Sequence, residues 1–231
     1  MVRPSSEDPS DVPNVAWSDV VRFIRQLSHD LRNHLNAIEL QSGYISELER
    51  DDELKSEIKR LREMIAGMTS TLQSLSKAVS AIKPNLIPYP AADFMEDLRK
   101  NIDHDFAGQN AEIIWNVQLA GAILKVDPQL LQETFTEIFG NALRHNRGEG
   151  PLVATATIDK NQFVFRLEEP KAQFELPTDN WGREPLGKIG QGHYGLGLNR
   201  VRAIVQAHGG KLYAQYDPKT RSLVTTVALP L

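Results

Sequence analysis

Apolar residues recur along the first part of the chain at helical spacing. After Trp17, Val20, Ile24, Leu27, Leu31, Ile38, Ile45 and Leu48 fall on alternating three- and four-residue steps, and His34 and Gln41 take the two remaining places of that seam. A second and cleaner series follows, in which Leu54, Ile58, Leu61, Ile65, Met68, Leu72, Leu75 and Val79 keep a 4-3 alternation. The polar break "ERDDE" at residues 49–53 fits a short antiparallel turn, so the spacing predicts a helical hairpin. Each helix spans about 30 residues, or roughly 45 Å at 1.5 Å per residue. A lone hairpin of that length leaves much of its apolar surface wet. Two hairpins paired as a four-helix bundle cover it, which predicts a homodimer. The alternative is a monomer that packs the hairpin on its own second domain.

Near residue 84 the pattern changes character, which sets a domain boundary there: a hairpin over 16–83 and a second domain over 84–231. "ADFMEDLRKNIDHDF" is an amphipathic helix, and "AEIIWNV" and "AILKV" read as short strands. "LVATATIDKNQFVFRLEE" alternates about a polar "DKN" turn like a hairpin, and "KLYAQYD" and "SLVTTVALPL" are strand-like. This order suggests helices on one face of a mixed sheet, hence an α+β chain. Residues 1–15, "MVRPSSEDPSDVPNV", hold three prolines and three serines and few large apolar groups, which predicts a flexible leader.

Composition narrows the function classes. A net charge of −4, with 26 basic and 30 acidic residues scattered rather than blocked, gives no electrostatic footprint of a nucleic-acid binder. The absence of cysteine excludes disulfides and thiolate metal sites and suits a reducing cytoplasm. No run approaches the ~18 apolar residues of a membrane span, and the N-terminus lacks a signal peptide's charged and apolar regions. A soluble chain is expected.

The candidate chemistry begins at "QLSHDLRNHLNAIEL", residues 26–40. With Ile24 and Leu31 at a and Leu27 at d of the heptad, His29 falls at f, farthest from the seam. His29 and Asn33 are four apart and share a face, while Asp30 sits about 100° around the helix, near enough to act on the ring. An exposed neutral imidazole, with an ordinary pKa of about 6.5, is a competent nucleophile at neutral pH. A carboxylate that accepts the proton of one ring nitrogen leaves the other free to attack. A solvated helix face is the bland alternative.

A second group lies in "KVDPQLLQETFTEIFGNALRHN", residues 125–146, a strand end, an Asp127-Pro128 helix start and an amphipathic helix. Glu137 and Asn141 are four apart and project together, with Arg144 and His145 on the following turn. A carboxamide oxygen suits Mg²⁺ and an arginine suits a phosphate. "GKIGQGHYGLGLNRVRAIVQAHGG" then places Gly187, Gly190, Gly192, Gly195 and Gly197 before a helix that ends at Gly209 and Gly210. Glycines there let backbone N–H groups approach an anion, and a helix N-terminus adds a favourable dipole, so the stretch fits a triphosphate cradle. A mobile loop before a Gly-terminated helix is the alternative.

Together these segments resemble the core of sensor histidine kinases. "SHDLRNHLNAI" resembles the phospho-acceptor box, "EIFGNALRH" the Asn box and "GHYGLGLNRVRAIVQAHGG" the second Gly-rich box, in the family's order and over about residues 17–231. The resemblance implies a dimerisation and phosphotransfer hairpin followed by an α/β sandwich ATP-binding domain related to those of gyrase and heat-shock chaperones. It implies His29 as the phosphorylated nucleophile, Asp30 as its acid or base, and Asn33 as a residue that orients water for dephosphorylating a partner. It implies Asn141 as the Mg²⁺ ligand, Arg144 and His145 near the ATP, Gly192, Gly195 and Gly197 bordering a lid over the phosphates, and Glu137 as an aid to Mg²⁺ or phosphate geometry. The implied partner is the receiver domain of a response regulator.

The chain departs from the family pattern twice. Where the phospho-acceptor box often has proline, this chain has His34, so the helix should kink less there. After "FVFRL" the family places Asp-x-Gly-x-Gly, whose aspartate reads the adenine amino group; this chain has Glu169, Pro170, Lys171, Ala172 and Gln173. Glu169 still offers an acceptor, but Pro170 and the missing glycines should reshape the backbone beside the purine. Two functions follow: a kinase that phosphorylates His29 from ATP, or a non-catalytic histidine phosphotransferase or scaffold with a decayed nucleotide site.

Overall fold

The computed structural model describes residues 16–107, 112–119, 121–144, 148–171, 174, 178 and 196–231. It falls into two compact units that divide between Ser80 and Ala81. The leader expected over residues 1–15 lies outside the described residues.

The first unit is a hairpin of α1 (Trp17–Leu48) and α2 (Asp52–Ala78). The turn is held by its own carboxylates. Glu49 Oε1 accepts from the N–H groups of Arg50 and Asp51 at 2.7 and 2.9 Å. Asp51 then caps α2, accepting from Glu53 N–H at 2.8 Å. The face that α1 buries within this unit differs from the expected seam. Ser28, Leu35 and Ser42, one heptad apart, are buried, while Leu27, Leu31, Ile38 and Ile45 are 39–46% exposed. His34, expected in the seam, is exposed with them, so water satisfies its ring in a single hairpin. On α2, Ile58 and Ile65 are buried and Leu54, Leu61 and Met68 exposed. The reason is geometric: contact between two helices buries one narrow stripe, and this sequence supplies a wider one. Small serines inside the hairpin let the backbones approach, and the leucine-rich stripe is left outside.

The second unit contains β1 (Ile87–Pro90), α3 (Ala91–Asp105), β2 (Ile113–Gln118), β3 (Ile123–Val126), α4 (Pro128–Arg144), β4 (Leu152–Asp159), β5 (Gln162–Pro170), α5 (Gly197–Ala207), β6 (Lys211–Asp217) and β7 (Ser222–Pro230). Five strands form a mixed sheet in the order β2-β4-β5-β7-β6, with β2 and β4 parallel and the other neighbours antiparallel. β1 and β3 form a separate antiparallel ribbon in which Ile87 faces Val126 and Pro90 faces Ile123. The two prolines of "IPYP" lack the N–H a ladder needs, and a two-stranded ribbon has open edges that tolerate them.

The β4–β5 hairpin turns at Lys160 and Asn161, with φ of 47° and 61°. Two successive left-handed residues are what a tight two-residue hairpin turn requires, and asparagine adopts that region readily. Along β5, Phe163, Phe165 and Leu167 are buried while Arg166 and Glu168 are exposed. The buried face meets α4, where Phe135 packs on Phe165 at 4.6 Å between ring centroids, and Phe139 packs on Trp115 of β2 at 5.4 Å. Leu98 and Ile102 of α3 and Ile204 of α5 join the same core.

A buried imidazole ties the start of α4 to the end of α5. His208 Nδ1 donates to the Ile204 carbonyl at 2.8 Å, so its Nε2 is free to accept from Asp127 N–H at 3.0 Å. The Asp127 carboxylate caps α4 at Leu130 N–H and accepts from Asn85 N–H. Burial pushes the Asp127 carboxyl up, but these backbone donors outweigh it and hold it below its ordinary pKa.

Candidate functional site

Two clusters carry the candidate chemistry, one in each unit. On α1 the His29 side chain is 66% exposed. Its Nδ1 lies 3.2 Å from Asp30 Oδ1, and Asn33 Nδ2 lies 3.4 Å from the same Nδ1. The two contacts are alternatives. With a proton on Nδ1 the ring donates to Asp30 and leaves the Nε2 lone pair open to solvent; with the proton on Nε2 the ring accepts from Asn33. The hydrogen bond from His29 holds the Asp30 carboxyl below its ordinary pKa, and a second from Gln26 Nε2, at 2.9 Å, adds to it. Gln26 was not singled out from the sequence, although its four-residue spacing to Asp30 is the signal that places the two side chains together.

On α4, Asn141 Nδ2 donates to Glu137 Oε1 at 3.2 Å and Arg144 Nη2 lies 3.8 Å from Glu137 Oε2. The four-residue step brings the amide to the carboxylate, and the next turn of the helix brings the guanidinium to the same carboxylate. Arg144 folds back over Gly140, donating to its carbonyl at 2.9 Å. A Cβ at Gly140 would meet Arg144 Nη2 at 2.6 Å, so the glycine makes room for the guanidinium. α5 begins against this group. A Cβ at Gly197 would come within 2.8 Å of Glu137 Cδ, and closer to its Oε1, so a side chain at the helix start would displace the carboxylate. Arg200 clamps the first turn of α5 to α4 through both oxygens of Glu133, with Nη2 to Oε2 at 3.4 Å. Gly140, Glu133 and Arg200 support the site without having been picked out; Gly140 lies inside the "EIFGNALRH" motif, and the Glu133–Arg200 pair joins residues too distant in sequence for spacing to reveal.

The α4 cluster fits Mg²⁺. Asn141 uses its nitrogen on Glu137, which leaves Oδ1 as a neutral oxygen donor beside a carboxylate. Among the described residues no group of three or more His, Cys, Asp or Glu side chains could hold a metal unaided. A magnesium ion here would need phosphate oxygens and water to complete its shell.

At the end of β5, Glu169 turns into the covered face of the sheet and is buried. Its Oε2 lies 2.9 Å from Nζ of Lys171, which is equally buried. Burial pushes the Glu169 carboxyl up, and the Lys171 ammonium acts against that. The loop after α4 meets this strand end, where Gly148 N–H donates to the Pro170 carbonyl at 2.8 Å. His145, Gly192 and Gly195, with Gly187, Gly190, Ala172 and Gln173, lie outside the described residues.

Residues 126–231 match the model of the "histidine kinase-, DNA gyrase B-, and HSP90-like ATPase" family. Over most of its length the chain is similar to the adaptive-response sensory kinase SasA of Synechocystis sp., with 24% identity over 87% of this chain and 57% of the relative. The sensor histidine kinase HprS of Escherichia coli is 25% identical over 90% of this chain and 47% of its own length. The chain thus spans about half the length of these relatives. Among solved structures, full-length ShkA in complex with AMPPNP shares the fold at a TM-score of 0.71, with 20% identity over 90% of this chain and 45% of that one. Histidine kinase ThkA in complex with the response regulator TrrA shares it at 0.59, with 13% identity over 92% of this chain and 62% of that one.

Proposed function

We propose that this chain, a helical hairpin followed by a domain that matches the histidine kinase-, DNA gyrase B- and HSP90-like ATPase family, and similar over most of its length to sensor histidine kinases, is a histidine kinase core in which His29 is phosphorylated from ATP and passes the phosphoryl group to an aspartate of a response-regulator receiver domain. The observation that carries this is the exposed His29 ring with its Nδ1 against Asp30. Nε2 attacks the γ-phosphorus as the bond to ADP breaks. Nδ1 donates to Asp30 throughout, so positive charge developing on the ring meets a carboxylate, and the proton leaves through that contact. In the reverse sense Asn33 and Asp30 orient water for dephosphorylating the partner. Phosphoryl transfer asks the protein mainly for alignment and charge neutralisation. Asn141 Oδ1 would be the protein ligand of Mg²⁺, which supplies positive charge to the phosphate oxygens. Arg144 and His145 would face the nucleotide, Gly192, Gly195 and Gly197 would border the phosphates, and Glu169 would lie at the purine end. Such a kinase works in the cytoplasm, where ATP is.

The exposed stripe of Leu27, Leu31, Ile38 and Ile45 with Leu54, Leu61 and Met68 supports a homodimer in which two hairpins form a four-helix bundle. The functional division is then a phosphotransfer and dimerisation hairpin at 16–83 and an ATPase-type domain at 84–231.

The buried Glu169–Lys171 pair favours a second possibility, a non-catalytic phosphotransferase or scaffold. A carboxylate already engaged by an internal ammonium is a poorer acceptor for an adenine amino group. Calorimetric titration with ATP and Mg²⁺ separates the two: saturable binding supports the kinase, and no heat at millimolar ATP leaves the phosphotransferase.

A further inference from the structure

Gln26 is a polar neighbour of the His29 cluster to which the chemistry above gives no part. We propose that Gln26 is a positioning residue for the phosphoryl-transfer step: its side-chain amide holds the Asp30 carboxylate against His29 Nδ1 and so favours the ring tautomer whose Nε2 is nucleophilic. This rests on the role proposed for His29.

The geometry is specific. Gln26 Nε2 donates to Asp30 Oδ1 at 2.9 Å, and the same Oδ1 lies 3.2 Å from His29 Nδ1. One carboxylate oxygen has two lone pairs and accepts both bonds. Residues four apart on a helix are neighbours, so the backbone of α1 itself brings the amide to the carboxylate. All three side chains are exposed, so water competes for each contact and an unheld carboxylate spreads over its other rotamers. Asn33 makes the restraint matter. Its amide lies 3.4 Å from the same Nδ1, and a bond from it requires the opposite tautomer, in which Nε2 carries the proton and cannot attack. Nδ1 is therefore contested between a carboxylate that makes the ring nucleophilic and an amide that silences it. Gln26 adds to the carboxylate's side. The Asp30 carboxyl stays below its ordinary pKa through the His29 bond first and the Gln26 bond second, with His34 adding a smaller favourable effect, so the acceptor is anionic at neutral pH.

Three substitutions at this exposed position test the role. Gln26→Leu removes the donor, Gln26→Arg keeps an N–H donor of sufficient reach, and Gln26→Glu places a like charge one turn from Asp30. The readouts are the ¹⁵N shifts of the His29 ring, which report the tautomer, and single-turnover labelling of the full chain at saturating ATP. In Gln26→Leu the ratio of Nδ1–H to Nε2–H tautomer and the labelling rate should each fall roughly two- to tenfold, the range one net hydrogen bond is worth. Apparent ATP affinity and melting temperature should not move. Gln26→Arg should retain both signals, and Gln26→Glu should lose more than Gln26→Leu. An unchanged tautomer ratio in Gln26→Leu overturns the proposal, as does equal loss in Gln26→Arg. If the wild type takes no label from ATP, the kinase function fails, while the ring shifts still decide the role of Gln26.

Discussion

Replacing Lys171 by Met should destabilise the second unit severely and in a pH-dependent way. The ammonium and the Glu169 carboxylate are 2.9 Å apart with 4% and 7% of their side chains exposed, so neither is rescued by water when the other is removed. Breaking such a pair costs about 3–5 kcal/mol. At about 2–4 °C per kcal/mol for a domain of this size, the melting temperature should drop by roughly 6–20 °C at pH 7. The pH dependence follows from Glu169. Burial already raises its carboxyl in the folded protein, and Lys171 is the group that opposes the rise. An acid raised on folding stabilises the fold fully only below its unfolded pKa, and that contribution is lost as pH rises through the folded value. Removing Lys171 raises the folded value further, so the variant should lag more as pH rises and recover as pH falls and the carboxyl takes up its proton. Glu169→Leu combined with Lys171→Met should be near neutral, since an apolar pair of similar volume replaces the ions. Thermal denaturation followed by circular dichroism from pH 5 to 8 is the assay. A Lys171→Met melting point within ~2 °C of wild type at every pH would refute the buried-pair account.

Other substitutions probe the remaining elements. Gly197→Ala should leave stability within about 1 kcal/mol, because better helix propensity offsets the crowding, yet the displaced Glu137 carboxylate should release Asn141 and slow labelling from ATP by roughly tenfold; an unchanged rate would show that Glu137 takes no part. Leu31→Glu with Ile38→Glu should convert a dimer to a monomer in light scattering at micromolar concentration, and a wild type that is already monomeric removes the four-helix bundle. Met64→Asp, at an exposed place on α2 outside the apolar stripe, should reduce transfer to a receiver domain and spare ATP affinity; the reverse pattern would move the docking surface elsewhere.

The hairpin was legible because helical periodicity is a local signal, and the order of strands and helices in the second unit was legible for the same reason. Which stripe of α1 turns inward was not. Periodicity ranks positions by hydrophobicity, so it chose Leu27, Leu31 and Ile38, whereas the hairpin buries Ser28, Leu35 and Ser42, where small side chains permit close approach. The strand at 87–90 is too short and too rich in proline to carry a strand pattern of its own, and it forms only against its partner at 123–126. Among site residues, the four-residue steps from Glu137 to Asn141 and from Gln26 to Asp30 are written in the sequence. Contacts that join distant segments, such as Glu133 with Arg200, Gly197 with Glu137 and His208 with Asp127, depend on tertiary packing that no spacing encodes.

The central claim is that His29 carries the phosphoryl group, and labelling the wild type and His29→Gln with [γ-³²P]ATP and Mg²⁺ tests it most directly. Glutamine keeps a polar side chain on an exposed helix face, so stability should change by only about ±0.5 kcal/mol, while the nucleophilic nitrogen is gone. The account predicts an acid-labile, base-stable label on the wild type and none on His29→Gln. Full labelling of His29→Gln, or a label that survives acid, would contradict it and place the phosphoryl group on another residue.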